Sequence, residues 1–132
     1  MSLDTTRLLR GYLVSSSTIT NLVSTSNIKI GWTRTIDEFP CITITQIGGS
    51  DFGYLGYNSS SAGSQLRQEL SSIQLDIFSK NSRLETIQIA DAIVPVMISG
   101  GCRKITDIED YNDELGLYRK IQTYSIIKHY DD

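Results

Sequence analysis

At 132 residues the chain is long enough for one domain with one buried core. Its twelve basic residues against fifteen acidic ones leave a net charge of −3 and a pI near 5.1. That balance argues against a protein that grips nucleic acid or an anionic membrane by charge, because no basic run exceeds the pairs Arg103-Lys104 and Arg119-Lys120. Eighteen Ile beside three Ala favour strands over a helix bundle, and no apolar run reaches the roughly 18 residues of a membrane span.

In chain order, Leu3, Leu8, Leu9, Tyr12 and Leu13 form one helical stripe, which predicts an amphipathic first helix over 3–14 with Ser2 or Asp4 as its cap. The opening MSLDTTRLLRGYL carries an acid and two arginines among its leucines and does not read as a secretory leader. Ile19, Leu22 and Val23 support one or two further turns. A first strand is expected over 27–33, where Ile28, Ile30 and Trp32 alternate with Lys29, Gly31 and Thr33. Asp37-Glu38-Phe39-Pro40 reads as a turn, and Cys41–Ile47 as the second strand.

Residues 48–65, GGSDFGYLGYNSSSAGSQ, read as a long flexible loop. Its aromatics Phe52, Tyr54 and Tyr57 suit contact with a partner better than plain solvation. The third strand runs from Leu66 to Lys80, with Ile73, Leu75 and Ile77 on one face and Ser72, Gln74, Asp76 and Phe78 on a polar one. Ser82 and Glu85 have capping-box spacing ahead of a second helix carrying Leu84, Ile87, Ala90, Val94 and Met97. Pro95 is expected to kink that helix or end its regular part, and Gly100-Gly101 to stop it. Two more strands, 102–109 and 117–129, flank an acidic turn at 110–116. The pattern predicts an α+β fold: a mainly antiparallel sheet of about five strands with two or three helices packed on one face, in a single domain over 1–132.

The chain offers little chemistry. His129, the one histidine, lies in the C-terminal tail beside acids, where a general base has no orienting partner. Nucleophile-elbow, phosphate-loop and dinucleotide patterns are missing. Cys41 and Cys102 read as small buried hydrophobes of a reducing compartment, and two Cys with one His cannot make a zinc site. The acids Asp107, Glu109, Asp110, Asp113 and Glu114 fail the calcium-loop pattern, which needs glycine sixth and glutamate twelfth, where Asn112 and Tyr118 stand. No catalytic residue, metal or cofactor is therefore expected. The acidic run, flanked by Arg103, Lys104, Arg119 and Lys120, suits contact between identical subunits, with Asp107, Glu109 and Asp113 as the acidic side.

Four stretches carry a family resemblance. They are Ile19-Thr20-Asn21-Leu22-Val23 with Ile28-Lys29-Ile30; Phe39-Pro40-Cys41-Ile42-Thr43-Ile44; Ile73–Lys80 followed by Ile89-Ala90-Asp91-Ala92-Ile93; and Tyr118–Ile126. In this order, over about residues 3–127, they resemble the tail terminator (tail completion) and head–tail joining proteins of long-tailed bacteriophages. The long aromatic segment 48–65 and Pro95 depart from that pattern. The resemblance implies a structural virion protein and no enzyme. Such a protein forms a ring, usually a hexamer, that caps the major tail-tube protein, ends tube growth and meets a head–tail connector or neck protein. It is assembled in the host cytoplasm, with DNA passing through the ring unbound and no membrane involved. The alternative reading is a small α+β module that binds a peptide or ligand.

Overall fold

The computed structural model of the chain describes residues 5–31, 38–55 and 66–131. Helices α1 (Thr5–Val14) and α2 (Ser17–Leu22) lead through a 3₁₀ turn (Thr25–Asn27) into the short strand β1 (Ile28–Ile30). Strands β2 (Cys41–Leu55) and β3 (Leu66–Ser79), helix α3 (Arg83–Ser99), and strands β4 (Cys102–Asn112) and β5 (Leu117–Asp131) follow. One sheet holds all five in the order β1-β2-β3-β5-β4. β1 lies parallel to β2 and every other pairing is antiparallel, so the expected α+β class holds.

Alternating isoleucines decide which face is the core. Ile42 and Ile44 of β2 stand opposite Ile77 and Leu75 of β3, and Ile73 stands opposite Tyr124 of β5. All six are fully buried. Leu9 and Leu13 of α1, Ile19 of α2, and Ile89, Ile93 and Met97 of α3 close over them, which places the three helices on one face of the sheet. Each such side chain contributes on the order of 1.5–3 kcal/mol over its exposed state. Helical spacing thus supplies one half of the core and strand alternation the other.

Polar contacts fix the helices in place. Arg10 of α1 donates from Nε to the Ile28 carbonyl (2.7 Å) and from Nη2 to that of Thr25 (3.1 Å), tying α1 to the start of β1. At the start of α3 the Glu85 amide donates to Ser82 Oγ at 3.1 Å, as the capping spacing predicts. The Glu85 carboxylate turns elsewhere, accepting from Ser79 Oγ (2.5 Å) and Asn81 Nδ2 (3.3 Å). This anchors the helix to the end of β3.

Several boundaries differ from those the sequence predicts. α3 runs through Pro95 to Ser99. The missing proline N–H leaves unpaired only the carbonyl of Asp91, an exposed residue that water can reach, so the helix continues. The stretch 48–55 belongs to β2 and pairs with β3 as far as Leu55↔Leu66, with register shifts at Gln46/Gly48 and Asp51/Gly53. Bulges at those points let a glycine-rich segment remain in the ladder. Residues 56–65, the rest of that stretch, lie outside the described residues, as do Leu3, the cap candidates Ser2 and Asp4, and Trp32. β4 reaches Asn112, which shortens the acidic turn to 113–116.

Replacing Arg10 by Leu strips two backbone carbonyls of a charged donor. Urea denaturation is expected to show a loss of about 1–3 kcal/mol, and Arg10→Lys, which lacks the fork, to recover only part of it.

Candidate functional site

Of the β4–β5 hairpin, β5 gives Tyr124 and Ile126 to the core, whereas β4 gives only Cys102. β4 is an edge strand, and every residue of it after Cys102 is exposed. Ile105 and Ile108 are each 53% exposed, and Tyr111 is 47% exposed. The turn closes through Asn112, whose Oδ1 accepts from the amides of Glu114 (3.0 Å) and Leu115 (3.2 Å), and through Gly116 at φ +60°. Tyr111 and Tyr118 face each other across the strands with ring centroids 4.6 Å apart.

On the helix side of this hairpin the charges form a chain. Arg83, from the first turn of α3, holds Glu109 with two bonds of 2.7 and 3.1 Å. Lys120 Nζ reaches Glu109 (3.3 Å) and Asp107 (3.0 Å), and Lys104 Nζ reaches Asp107 at 3.3 Å. Burial pushes the Asp107 carboxyl up, but hydrogen bonds from Lys120 and Lys104 outweigh it and hold the group below its ordinary range. The hydrogen bond from Arg83 is the largest effect on Glu109; desolvation opposes it, and the bond from Lys120 and the charges of both cations keep the group below its ordinary range. For Lys120, burial works to lower its pKa, yet the bonds to Asp107 and Glu109 leave it raised. Beneath the chain lies Tyr124, whose phenol is raised by burial first and by Asp107 second; its hydroxyl donates to Gln122 Oε1 at 2.8 Å.

The opposite face of the sheet holds a buried ion pair. Asp76 of β3 is completely buried, and its Oδ1 accepts from Arg119 Nε (3.2 Å) and Nη2 (3.0 Å). Gln74 Nε2 donates to both carboxylate oxygens at 3.2 and 3.0 Å. The guanidinium also lies 5.6 Å from the Phe78 ring. The face expected to be polar and solvated is therefore covered at Asp76 and Phe78, because Arg119 from β5 folds over both.

The structure thus pairs within one chain most of the charges singled out for contact between chains. Asp107, Glu109, Lys104 and Lys120 meet one another, and Arg119 serves Asp76. Arg103 and Asp113 form no ion pair among the described residues. Phe52 and Tyr54 stand in the far part of β2, Tyr54 opposite Arg67, while Tyr57 lies outside the described residues. His129 belongs to β5, opposite Gln68. Cys41 and Cys102 are unbridged and buried, and burial pushes the Cys41 thiol up to about 11, which suits packing and not nucleophilic attack. Among the described residues no group of three or more His, Cys, Asp or Glu could hold a metal ion. Sequence spacing does not reveal Arg83 or Asp76, since their partners lie 26 and 43 residues away.

Two hollows accompany these features. One of about 240 Å³ lies beside the charge chain, lined by Arg83, Thr86, Glu109, Tyr111 and Arg119 among others. A larger, open groove of about 450 Å³ runs between α1 and α3, lined by Tyr12, Ser15, Ser16, Pro95, Val96, Ser99 and Gly100. A Cβ at Gly100 would stand 2.7 Å from the Tyr12 ring, so a larger residue there has to displace that ring.

No protein-family model matches the chain, and no curated protein matches it either. Among solved structures it is similar to a chain from the virion of a native gene transfer agent particle. The TM-score is 0.68 at 5% sequence identity, and the superposition covers 92% of both chains. At that identity the likeness is one of fold.

Two expectations follow from the ion pairs. Arg119→Ala strands the buried Asp76 and is expected to cost about 3–5 kcal/mol in chemical denaturation, whereas Asp76→Leu with Arg119→Leu restores much of that loss. Asp107 and Glu109 titrate below their ordinary values of 3.8 and 4.5 when folded, so their contribution is present at neutral pH and disappears as acid drives the pH below that range. Lys120 titrates above its ordinary 10.5, so its share persists until alkaline pH passes that value. In a thermal scan across pH, Asp107→Asn with Glu109→Gln is expected to flatten the acid limb and remove the share of Lys120 from the alkaline limb, while the part set by burial of Tyr124 and Cys41 stays.

Proposed function

We propose that this chain is a structural subunit of a phage-like virion, a tail-terminator protein whose ring caps the tail tube and offers the surface for head joining. The observation that carries the reading is the fold, shared over 92% of both chains with a component of a gene transfer agent virion. Two further features support it. The ordered resemblance to tail terminators runs through β1, β2, β3, α3 and β5, and the net charge of −3 suits a channel through which DNA slides without sticking. On this reading the chain acts as one domain without enzymatic activity, and its partners are its own copies, the tail-tube protein and a head–tail connector.

The hairpin β4–β5 and the end of the β2–β3 hairpin are the surfaces this reading assigns to assembly. Phe52, Tyr54 and Tyr57 would meet the tube or the adjoining ring, and the exposed charges of β4 and its turn, Arg103 and Asp113, a neighbouring subunit. The alternative, a peptide- or ligand-binding module, has the open groove between α1 and α3 in its favour.

Electron microscopy of particles made without this chain separates the readings. Tail tubes of unregulated length are expected for a terminator. Tubes of normal length without heads would assign the chain to head–tail joining, and intact particles would overturn a virion role. Particles made with residues 56–65 replaced by a two-residue turn, which joins the paired Leu55 and Leu66 directly, are expected to show the same defect from a folded subunit.

A further inference from the structure

β4 presents its outer edge, with unpaired backbone N–H and C=O groups, along a strand exposed on both faces. Such an edge is a template for another strand, and natural proteins blunt it with Lys and other charges, Pro or bulges, of which β4 has Lys104 and a bulge. The charges here follow another order. Basic residues stand at one end (Arg103, Lys104) and acidic ones at the other (Glu109, Asp110), with Ile105 and Ile108 between.

The register against β5 shows how symmetrical this order is. Arg103, Asp107 and Asp110 stand opposite Ser125, Gln122 and Arg119, which are three ladder positions apart on each side. Lys104 and Glu109 stand opposite Tyr124 and Lys120, two positions from the same centre. The bulge at Lys104/Thr106 makes this possible. Arg103 and Asp110 are seven residues apart in sequence, which in a regular strand puts their side chains on opposite faces; the extra residue brings them to one face.

We propose that β4 pairs antiparallel with β4 of a second copy of this chain, about a twofold axis at Asp107. The pairing sets Arg103 of each copy against Asp110 of the other, and Lys104 against Glu109. Ile108 of one strand then faces Thr106 of its mate, with the bulged Ile105 beside them. Among the described residues Arg103 and Asp110 form no ion pair within the chain, so the contact between copies gives both an opposite charge. The two Asp107 carboxylates that approach at the axis each carry Lys104 at 3.3 Å and Lys120 at 3.0 Å, so the centre is not a bare like-charge contact. Such an interface is isologous: each contact occurs twice, and two five-stranded sheets merge into one. The inference rests on the edge and its charges and is independent of the virion reading.

Sedimentation of the full chain tests it through two charge reversals, Arg103→Glu and Asp110→Lys. The wild-type chain is expected to sediment as a concentration-dependent dimer. Each reversal turns two symmetric attractions into repulsions and is expected to raise the dimer dissociation constant by about tenfold or more. An equimolar mixture of the two variants regains a dimer. In the mixed pair the introduced glutamate faces the introduced lysine in one contact, and the native Arg103 faces the native Asp110 in the other. Thermal unfolding identifies folded variants. Should Asp110→Lys not fold, Asp110→Asn takes its place in the single-variant arm, and Arg103→Glu with Asp110→Arg in one chain serves as the restoring arm. A monomeric wild-type chain, a dimer or larger ring indifferent to either reversal, or a mixture that stays monomeric overturns the proposal.

Discussion

The structure depends on β3 being buried from both sides. Toward the helices its Ile73, Leu75 and Ile77 meet the apolar faces of α1 and α3; away from them, Asp76 is sealed from water. A lone carboxylate at such a position is costly enough to break the sheet, so the strand requires a cation from a neighbour. Arg119 provides it and in doing so fixes where β5 runs, in register from Ser79↔Tyr118 onward. The hairpin formed by β4 and β5 then has one strand committed to the core and the other hanging on it as an edge.

That division of labour explains the pattern of charge. Lys120 is largely covered, and its ammonium is shared between Asp107 and Glu109, while Arg83 ties the same Glu109 to α3. The chain of ion pairs thus links the exposed strand of the hairpin to the helix layer. Exposed pairs are weak one by one, but here a common lysine joins two carboxylates, and both are held below their ordinary range, Glu109 chiefly by Arg83 and Asp107 by Lys120 and Lys104 against burial. An acidic run whose pattern suggests contact between subunits is, for Asp107 and Glu109, the latch of an edge strand.

Much of this is legible in the sequence, and what is not has a physical reason. Period-two isoleucines locate β2, β3 and their inner faces, and the spacing of Ser82 and Glu85 locates the start of α3. The α+β class and the helix layer follow from those local patterns. Local pattern fails where long-range pairing decides. Gly48–Leu55 lacks strand-like residues at several positions and extends only because β3 runs alongside it. Asp76 reads as solvent-facing because alternation shows which face a residue takes but not what covers that face. Partners such as Arg83 and Glu109 are joined by the crossover of α3 onto the sheet, which no spacing rule encodes.

A ring and an edge-paired dimer make different demands on the same strand. A ring needs heterologous contacts, in which one surface of a subunit meets another surface of the next; antiparallel pairing of β4 with itself closes at two copies. Where both use the edge of β4, they are used at different times. An edge strand left open on a free subunit risks promiscuous pairing, and a self-complementary order of charges restricts it to one partner in one register. Opening that dimer exposes the same backbone edge beside Arg103 and Asp110, a surface already shaped for a strand of another component. Weak, salt-sensitive pairs suit such an exchange, since an interface of moderate strength can be displaced by a partner that covers more of the hairpin.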